Sequence, residues 1–306
     1  LIINSKFRYV IIINDGSTDH SLSIIKKYMH LDDRIILISR ENKGLIESLN
    51  DGLKLAKGKY VARMDADDVS LKNRFKEQIE FMVKDNIDIC GSSVQLFNDE
   101  GDIKIWRYPV LDQDIKFTLL FTCSFAHPSV MIRKKVFKNL KYKNYKNSED
   151  YKLWTDAALS GFKMGGIDKV LLNYRCHKEQ VSYKNSIMQK EQTFKISNFY
   201  LSQTKELATI SSTYKAIRQG VSSEDLCKLY NCINSYRHEK NVSDKYFLKF
   251  IRYILNISNS YNLASLKAYY RITRDLKTNF LHDGLILFLC LFRVDVKSNI
   301  YKLLYK

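Results

Sequence analysis

Gly58-Lys59-Tyr60-Val61-Ala62-Arg63-Met64-Asp65-Ala66-Asp67-Asp68 contains a strand-like run, Tyr60 to Met64, that delivers three carboxylates to its C-terminal end. In a sheet flanked by helices, ligands gather outside the carboxyl ends of the strands. Close carboxylates repel one another, so such a cluster calls for a cation. Hard oxygen donors suit Mg²⁺ or Mn²⁺, held together with substrate phosphates. A polar turn capping a helix that starts near Ser70 would use the same residues, since Asp is a common N-cap. The stretch leaves both readings open, and the chain on either side decides between them.

On the N-terminal side, Gly44 to Lys57 sets Leu45, Ile46, Leu49, Leu53 and Ala56 on one face of a predicted helix. Ile35 to Ile38 reads as a strand, and so does the β-branched run Arg8 to Ile13. That run ends in Asn14-Asp15-Gly16-Ser17-Thr18-Asp19, where Gly16 permits a tight turn and Ser17, Thr18 or Asp19 caps a helix carrying Leu22, Ile25 and Met29. On the C-terminal side, residues 72–84 predict a helix with Phe75, Ile79 and Met82 inward. Two strands follow, Asp88 to Phe97 and Ile103 to Tyr108, then a helix over Asp112 to Phe121 and a strand from Ala126 to Arg133. Ser148-Glu149-Asp150-Tyr151 opens a helix that runs to Leu159 and closes at Gly161. Lys169 to Cys176 is a last strand, with His177 just past it. This alternation predicts an α/β fold, a mostly parallel sheet flanked by helices.

From about Ser186 the alternation gives way to helical patterning rich in Tyr and Lys. Examples are Tyr246-Phe247-Phe250-Ile251-Tyr253-Ile254 and Leu266-Tyr269-Tyr270-Ile272, read as a helical bundle, as a basic amphipathic surface for anionic lipid, or as both. From Val181 onward, 20 basic side chains outnumber 9 acidic ones, and the whole chain of 306 residues carries +17. That charge suits anionic partners: nucleic acid, a membrane surface, or phosphorylated small molecules. No RRM, KH or helix-turn-helix pattern supports nucleic acid. The six cysteines show no CxxC and no metal spacing, which points to reduced thiols and a cytosolic compartment. No apolar run approaches the ~20 residues of a spanning helix. The longest, Leu285 to Phe292, is far shorter.

Three acidic elements thus fall at predicted strand ends or helix starts: Asp15, the Asp65/Asp67/Asp68 group and Glu149-Asp150. Beside them stand Arg40-Glu41-Asn42-Lys43-Gly44, Leu49-Asn50-Asp51-Gly52, His127-Pro128-Ser129 and Tyr174-Arg175-Cys176-His177. In this order and spacing the chain resembles family 2 glycosyltransferases of the GT-A fold, of the kind that build O-antigen, capsule or other bacterial surface polysaccharide. The resemblance covers roughly residues 1–182, expected to be the catalytic domain, with 183–306 as a helical basic C-terminal region. It implies an inverting, non-processive transfer from a nucleotide sugar, by default a UDP-sugar, to a glycan or polyprenyl-diphosphate-linked acceptor. A divalent metal, Mn²⁺ or Mg²⁺, and a cytoplasmic location, peripheral on the inner face of the membrane, come with it.

Residue by residue, the resemblance implies Asp150 as the base, with Glu149 orienting it or bonding the acceptor. Asp67 is the implied metal ligand, and His177 completes the metal or diphosphate site. Asp65 matches the residue that faces the ribose or the metal's outer shell. Asn14 and Asp15 match the site that reads the nucleotide base, and Arg40 and Lys43 the loop that contacts the nucleotide. Each also has a purely structural reading: Asp15 as a turn former, Lys43 as a solvated charge, His177 as a strand-end surface residue, and Glu149-Asp150 as acids favoured at a helix N-terminus. Arg63 reads as a counter-ion, and His127 as packed against Pro128. Family members begin with a strand ending in a Pro-Val-Tyr-Asn-like motif; Leu1 to Phe7 instead resembles the end of the helix after it, so the chain is expected to be N-terminally incomplete. A nucleotidyltransferase shares the α/β fold and paired Asp ligands and is the rival enzyme. A nucleotide-binding module with a degenerate site is the rival without activity.

Overall fold

The structure is a computed structural model and describes residues 9–177, 186–219 and 222–258. Leu1 to Phe7, the stripe around Tyr269 and the run Leu285 to Phe292 lie outside the described residues. The chain divides into two compact units, Leu1–Ile115 with Cys123–Thr193, and Lys116–Thr122 with Phe194–Lys306.

In the first unit, β1 (Val10–Asp15) and β2 (Ile35–Arg40) pair in parallel, Val10 opposite Ile35 and Asp15 opposite Arg40. Helix α1 (Ser21–Met29) connects them. Helix α2 (Leu45–Leu55) follows, and Gly52 on it leaves room for Ile13 of β1, whose Cδ1 would lie 3.3 Å from an added Cβ. The second sheet has the order β3-β7-β5-β8-β4, with β6 on β5. Its strands are β3 (Tyr60–Ala62), β4 (Val69–Ser70), β5 (Ile89–Asn98), β6 (Gly101–Trp106), β7 (Met131–Arg133) and β8 (Met164–Arg175).

The expected α/β alternation is present, but the second sheet is mixed rather than mostly parallel. Only β5–β8 is parallel there; β3–β7, β4–β8, β5–β6 and β5–β7 are antiparallel. The tight turn between β5 and β6 fixes one of these, because a parallel neighbour needs a crossover of a dozen or more residues. The stretch predicted as a strand from Ala126 is a 3₁₀ turn over His127–Ser129 before β7 begins. Pro128 lacks a backbone N–H and cannot join a ladder there.

The core of this unit forms two clusters along β5: Cys90 packs with Met82, Ile87 and Met131, and Val94 and Leu96 pack with Ala126 and Leu172. Helix α3 (Arg74–Lys84) supplies Met82 and also buries Arg74 and Gln78. Helix α4 (Asp112–Thr118) ends in the segment Lys116–Thr122, whose Phe117 and Phe121 belong to the second unit. Helix α5 (Glu149–Leu159) is almost wholly buried. The second unit is helical: it takes α6 (Ser186–Gln203) from Phe194 onward, then α7 (Ser211–Ala216), α8 (Ser223–Glu239) and α9 (Asp244–Ser258). On α9, Phe247, Phe250, Ile251 and Ile254 form the buried face, as their helical spacing predicts.

Candidate active site

The Asp65–Asp68 loop is tied down on both sides. Before it, Arg63 donates its N–H to Val130 across from β7, 3.1 Å. The fully buried Arg74 donates to the Arg63 carbonyl, 2.8 Å, and to the Val130 carbonyl, 3.2 Å, while Gln78 holds the Ser129 carbonyl, 2.8 Å. After it, β4 pairs with β8, and Arg175 donates its backbone N–H to Asp68 Oδ1, 2.9 Å, and its Nε to the Asp67 carbonyl, 3.0 Å. The two strands therefore present the loop as a rigid shelf.

On that shelf Asp65, Asp67 and Asp68 each offer a carboxylate oxygen, all within 4.8 Å of one another. His177, just past β8, puts Nε2 at 3.1 Å from Asp67 Oδ2. Burial pushes the Asp68 carboxyl up to about 7, against the pull of the Arg175 N–H and with added repulsion from Asp65 and Asp67. Burial also raises Asp65, countered by the Arg63 guanidinium, which donates to Asp65 Oδ2 at 2.6 Å. Asp68 Oδ2 is buried with no hydrogen-bond partner. Crowded carboxylates with a buried orphan oxygen are chemically suited to a hard divalent cation, and a His at the edge adds a borderline nitrogen donor.

Glu149 and Asp150 sit in the first turn of α5. Burial pushes Glu149 up to about 7, helped by the charge of Asp150. Asp150 keeps part of its residue surface open to solvent, although its carboxylate is enclosed by protein. That enclosure raises its pKa above the ordinary carboxylate value, while the Tyr151 N–H, at 2.7 Å, and the Arg63 charge pull it back. Cys123 Sγ lies 3.6 Å from Asp150 Oδ2. Burial holds this thiol in its protonated form, so it donates to the carboxylate. His127 is buried behind the site with Nε2 2.9 Å from the Tyr142 hydroxyl, and burial keeps it neutral.

The third predicted element is at the end of β1. Asn14 donates from Nδ2 to Ser39 Oγ, 3.0 Å, and accepts the Ser17 N–H at Oδ1, 3.2 Å. Asp15 accepts from Arg40 Nε at 2.9 Å, from the Lys43 N–H at 3.1 Å and from the Gly44 N–H at 2.7 Å. Burial alone would raise Asp15, but these bonds outweigh it and hold the carboxyl below its usual value. Gly44 stands at φ +89°, ψ 164°, a region essentially reserved for glycine. Arg40 also bonds Asp51 and Ser48. The Lys43 side chain is exposed.

The predicted residues thus fall into three groups: Asp65/Asp67/Asp68 with His177, Glu149 with Asp150, and Asn14/Asp15 with Arg40 and Lys43. Arg63 links the first two electrostatically, since its charge acts on Asp65, Asp68, Glu149 and Asp150. The hydrogen bonds of Asp15 all stay within β2 and its following loop. Sequence reasoning missed Arg74 and Cys123. Arg74 and Gln78 carried a signal, being polar residues four apart beside inward Phe75 and Ile79. Cys123 carried none.

The glycosyl transferase family 2 model matches residues 4–141. A glycosyltransferase of Haemophilus influenzae is 32% identical over 290 residues, which are 86% of this chain and 87% of that protein. The O-antigen biosynthesis glycosyltransferase WbnJ of Escherichia coli is 35% identical over 179 residues, 56% of this chain and 69% of that one. Among solved structures, S. aureus TarS 1-349 in complex with UDP-GlcNAc is similar at a TM-score of 0.47 and 16% identity, covering 87% of this chain and 79% of that chain.

Proposed function

The chain belongs to glycosyl transferase family 2, and from that premise we propose that it is an inverting, non-processive transferase using a UDP-sugar and a glycan or polyprenyl-diphosphate-linked acceptor of surface polysaccharide synthesis. Family membership displaces the nucleotidyltransferase alternative. The observation that carries the reading is the cation-suited shelf, where Asp65, Asp67 and Asp68 offer carboxylate oxygens within 4.8 Å of one another and His177 Nε2 lies 3.1 Å from Asp67 Oδ2. Asp150 takes the proton of the acceptor hydroxyl as that oxygen bonds to the anomeric carbon. The bond from that carbon to the diphosphate oxygen breaks with its electron pair, and configuration inverts. Enclosure makes Asp150 a stronger base than a solvated carboxylate, and a positioned base is worth ~10²–10⁴ in rate. Glu149 orients it. Asp67 and His177 would hold Mn²⁺ or Mg²⁺, which supplies positive charge for the leaving diphosphate when bound. Asp65 faces the ribose side, and Asn14 and Asp15 with Arg40 and Lys43 form the base-reading end.

The proposed division of labour is a catalytic domain over 1–182 and a helical basic region over 183–306, with the enzyme cytoplasmic and peripheral on the membrane. Among the described residues no helix is long and apolar enough to cross a membrane. The test is calorimetric titration of UDP with and without Mn²⁺. We expect UDP binding that needs the metal and falls at least about tenfold, ~1.4 kcal/mol, in Asp67→Ala. Failure of the unaltered chain to bind any nucleoside diphosphate would sink the donor site.

A further inference from the structure

A second cavity of the first unit lies apart from the carboxylate site. It has a volume of about 930 Å³ and opens between α2, the start of β3 and the segment after β7. Asp65 follows β3, whereas Lys59 precedes it, so this cavity opens at the opposite end of that strand from the carboxylates. Its wall carries eight basic side chains and one acidic one, Glu47. Three of the eight are engaged: Lys54 pairs with Asp51, Lys135 with Asp88, and Arg133 donates to the carbonyls of Ile87 and Met82. The remaining five, Lys57, Lys59, Lys134, Lys138 and Lys141, are exposed and make no ion pair among the described residues. They are held together by main-chain geometry: the Lys134 N–H bonds the Lys59 carbonyl at 2.9 Å, and Asn50 clasps both main-chain groups of Tyr142. Beneath the lysines lie Leu53, Phe137 and Leu140.

We propose that this cavity is a docking site for an anionic phospholipid surface, taking a phosphate headgroup among the lysines and the adjoining glycerol and upper chain against Leu53, Phe137 and Leu140. Five uncompensated cations in one rim demand anions by charge complementarity. That the free charges are lysines favours headgroups, which need point charges, over bidentate recognition of a fixed fork. The apolar floor favours an amphiphile over a free polyanion. Nucleic acid would want an exposed stacking ring, and the Phe137 ring is turned to Tyr142, 6.2 Å between centroids. Docking here leaves the carboxylate end of β3 open to donor and acceptor. The inference stands apart from the assignment of donor or base.

The test is vesicle co-sedimentation of the full chain with phosphatidylcholine alone and with phosphatidylglycerol added. Two charge-matched variants are compared: Lys57→Gln, Lys134→Gln, Lys138→Gln, Lys141→Gln in the rim, and Lys26→Gln, Lys27→Gln, Lys76→Gln, Lys104→Gln elsewhere on the unit. Each lysine near an anionic surface is worth roughly fivefold, so the rim variant is expected to lose ~100-fold or more, allowing for imperfect contact. The other variant should keep binding to anionic vesicles within a few fold of the unaltered chain. All eight positions are exposed, and circular dichroism checks that both variants fold. Equal loss in both variants would mean that net charge alone drives binding, and would overturn the site. So would full binding by the rim variant, or no binding by the unaltered chain. Competition by soluble polyphosphate or a single-stranded oligonucleotide that binds the rim more tightly than the vesicles would overturn the lipid as occupant.

Discussion

Glu149 and Asp150 are neighbours with different work, and their surroundings say why. Glu149 is buried with its carboxyl pushed up to about 7. In the unfolded chain it titrates near 4.5, so between these values the folded state holds a proton that the unfolded state has released. The protonated form therefore stabilises the fold fully below about 4.5, and that contribution is lost as pH rises through about 7. Glu149→Gln keeps the shape without the titration. Unfolding free energies from urea titrations between pH 5 and pH 8 should fall by about 1–3 kcal/mol for the unaltered chain and stay flatter for the variant. A parallel fall in both would remove Glu149 from that pH dependence. Asp150, enclosed and bonded by the Cys123 thiol, is the proposed base. Asp150→Asn should cut transfer by ~10²-fold or more while leaving Mn²⁺-dependent UDP binding within about twofold. Steady-state kinetics and calorimetry on the same protein read both, and full turnover in the variant would withdraw the base assignment.

At the scale of elements, the shelf under the carboxylates rests on a side chain that never reaches the site. Arg74 of α3 is fully buried and spans the Arg63 and Val130 carbonyls, joining β3 to the turn before β7. Arg74→Ala removes the donors and opens a cavity, and the two effects together should cost about 3 kcal/mol or more. A lowered urea midpoint accompanied by weaker metal-dependent UDP binding would show that α3 holds the loop; lowered stability with unchanged binding would show that β4 and β8 suffice. The helices and strands on which this rests were legible because Leu45/Leu49/Leu53 and Val10 to Ile13 follow periods of 3.6 and of buried strands. The acidic groups were legible because they punctuate strand ends. Antiparallel pairing of β3 with β7 was not, since seventy residues separate them and periodicity carries no partner. The Cys123–Asp150 contact and the lysine rim were hidden for the same reason: each gathers residues from segments that only packing brings together.

For the whole molecule, a single change of character near Ser186 read as a simple two-part chain. The structure adds a short return: residues 116–122, far upstream of that change, belong to the helical unit. Their place follows from their aromatic rings. Phe117 is fully buried among Tyr236, Phe247 and Phe250, with centroids 5.8–6.5 Å away, and Phe121 meets Phe250 and Tyr253, each at 5.8 Å. A chain cut at residue 182 keeps every candidate site residue but strips these two rings of their partners. Burying a Phe contributes about 1.5–3 kcal/mol, so the cut forfeits ~3–6 kcal/mol, comparable with the 5–15 kcal/mol by which a domain is stable at all. The fragment 1–182 should therefore expose both rings and bind a fluorescent apolar dye more than the full chain does. Replacing both rings, Phe117→Ser with Phe121→Ser, should reduce dye binding in the fragment and destabilise the full chain. No more dye bound by the fragment than by the full chain would show instead that these rings do not depend on the helical partners for their cover.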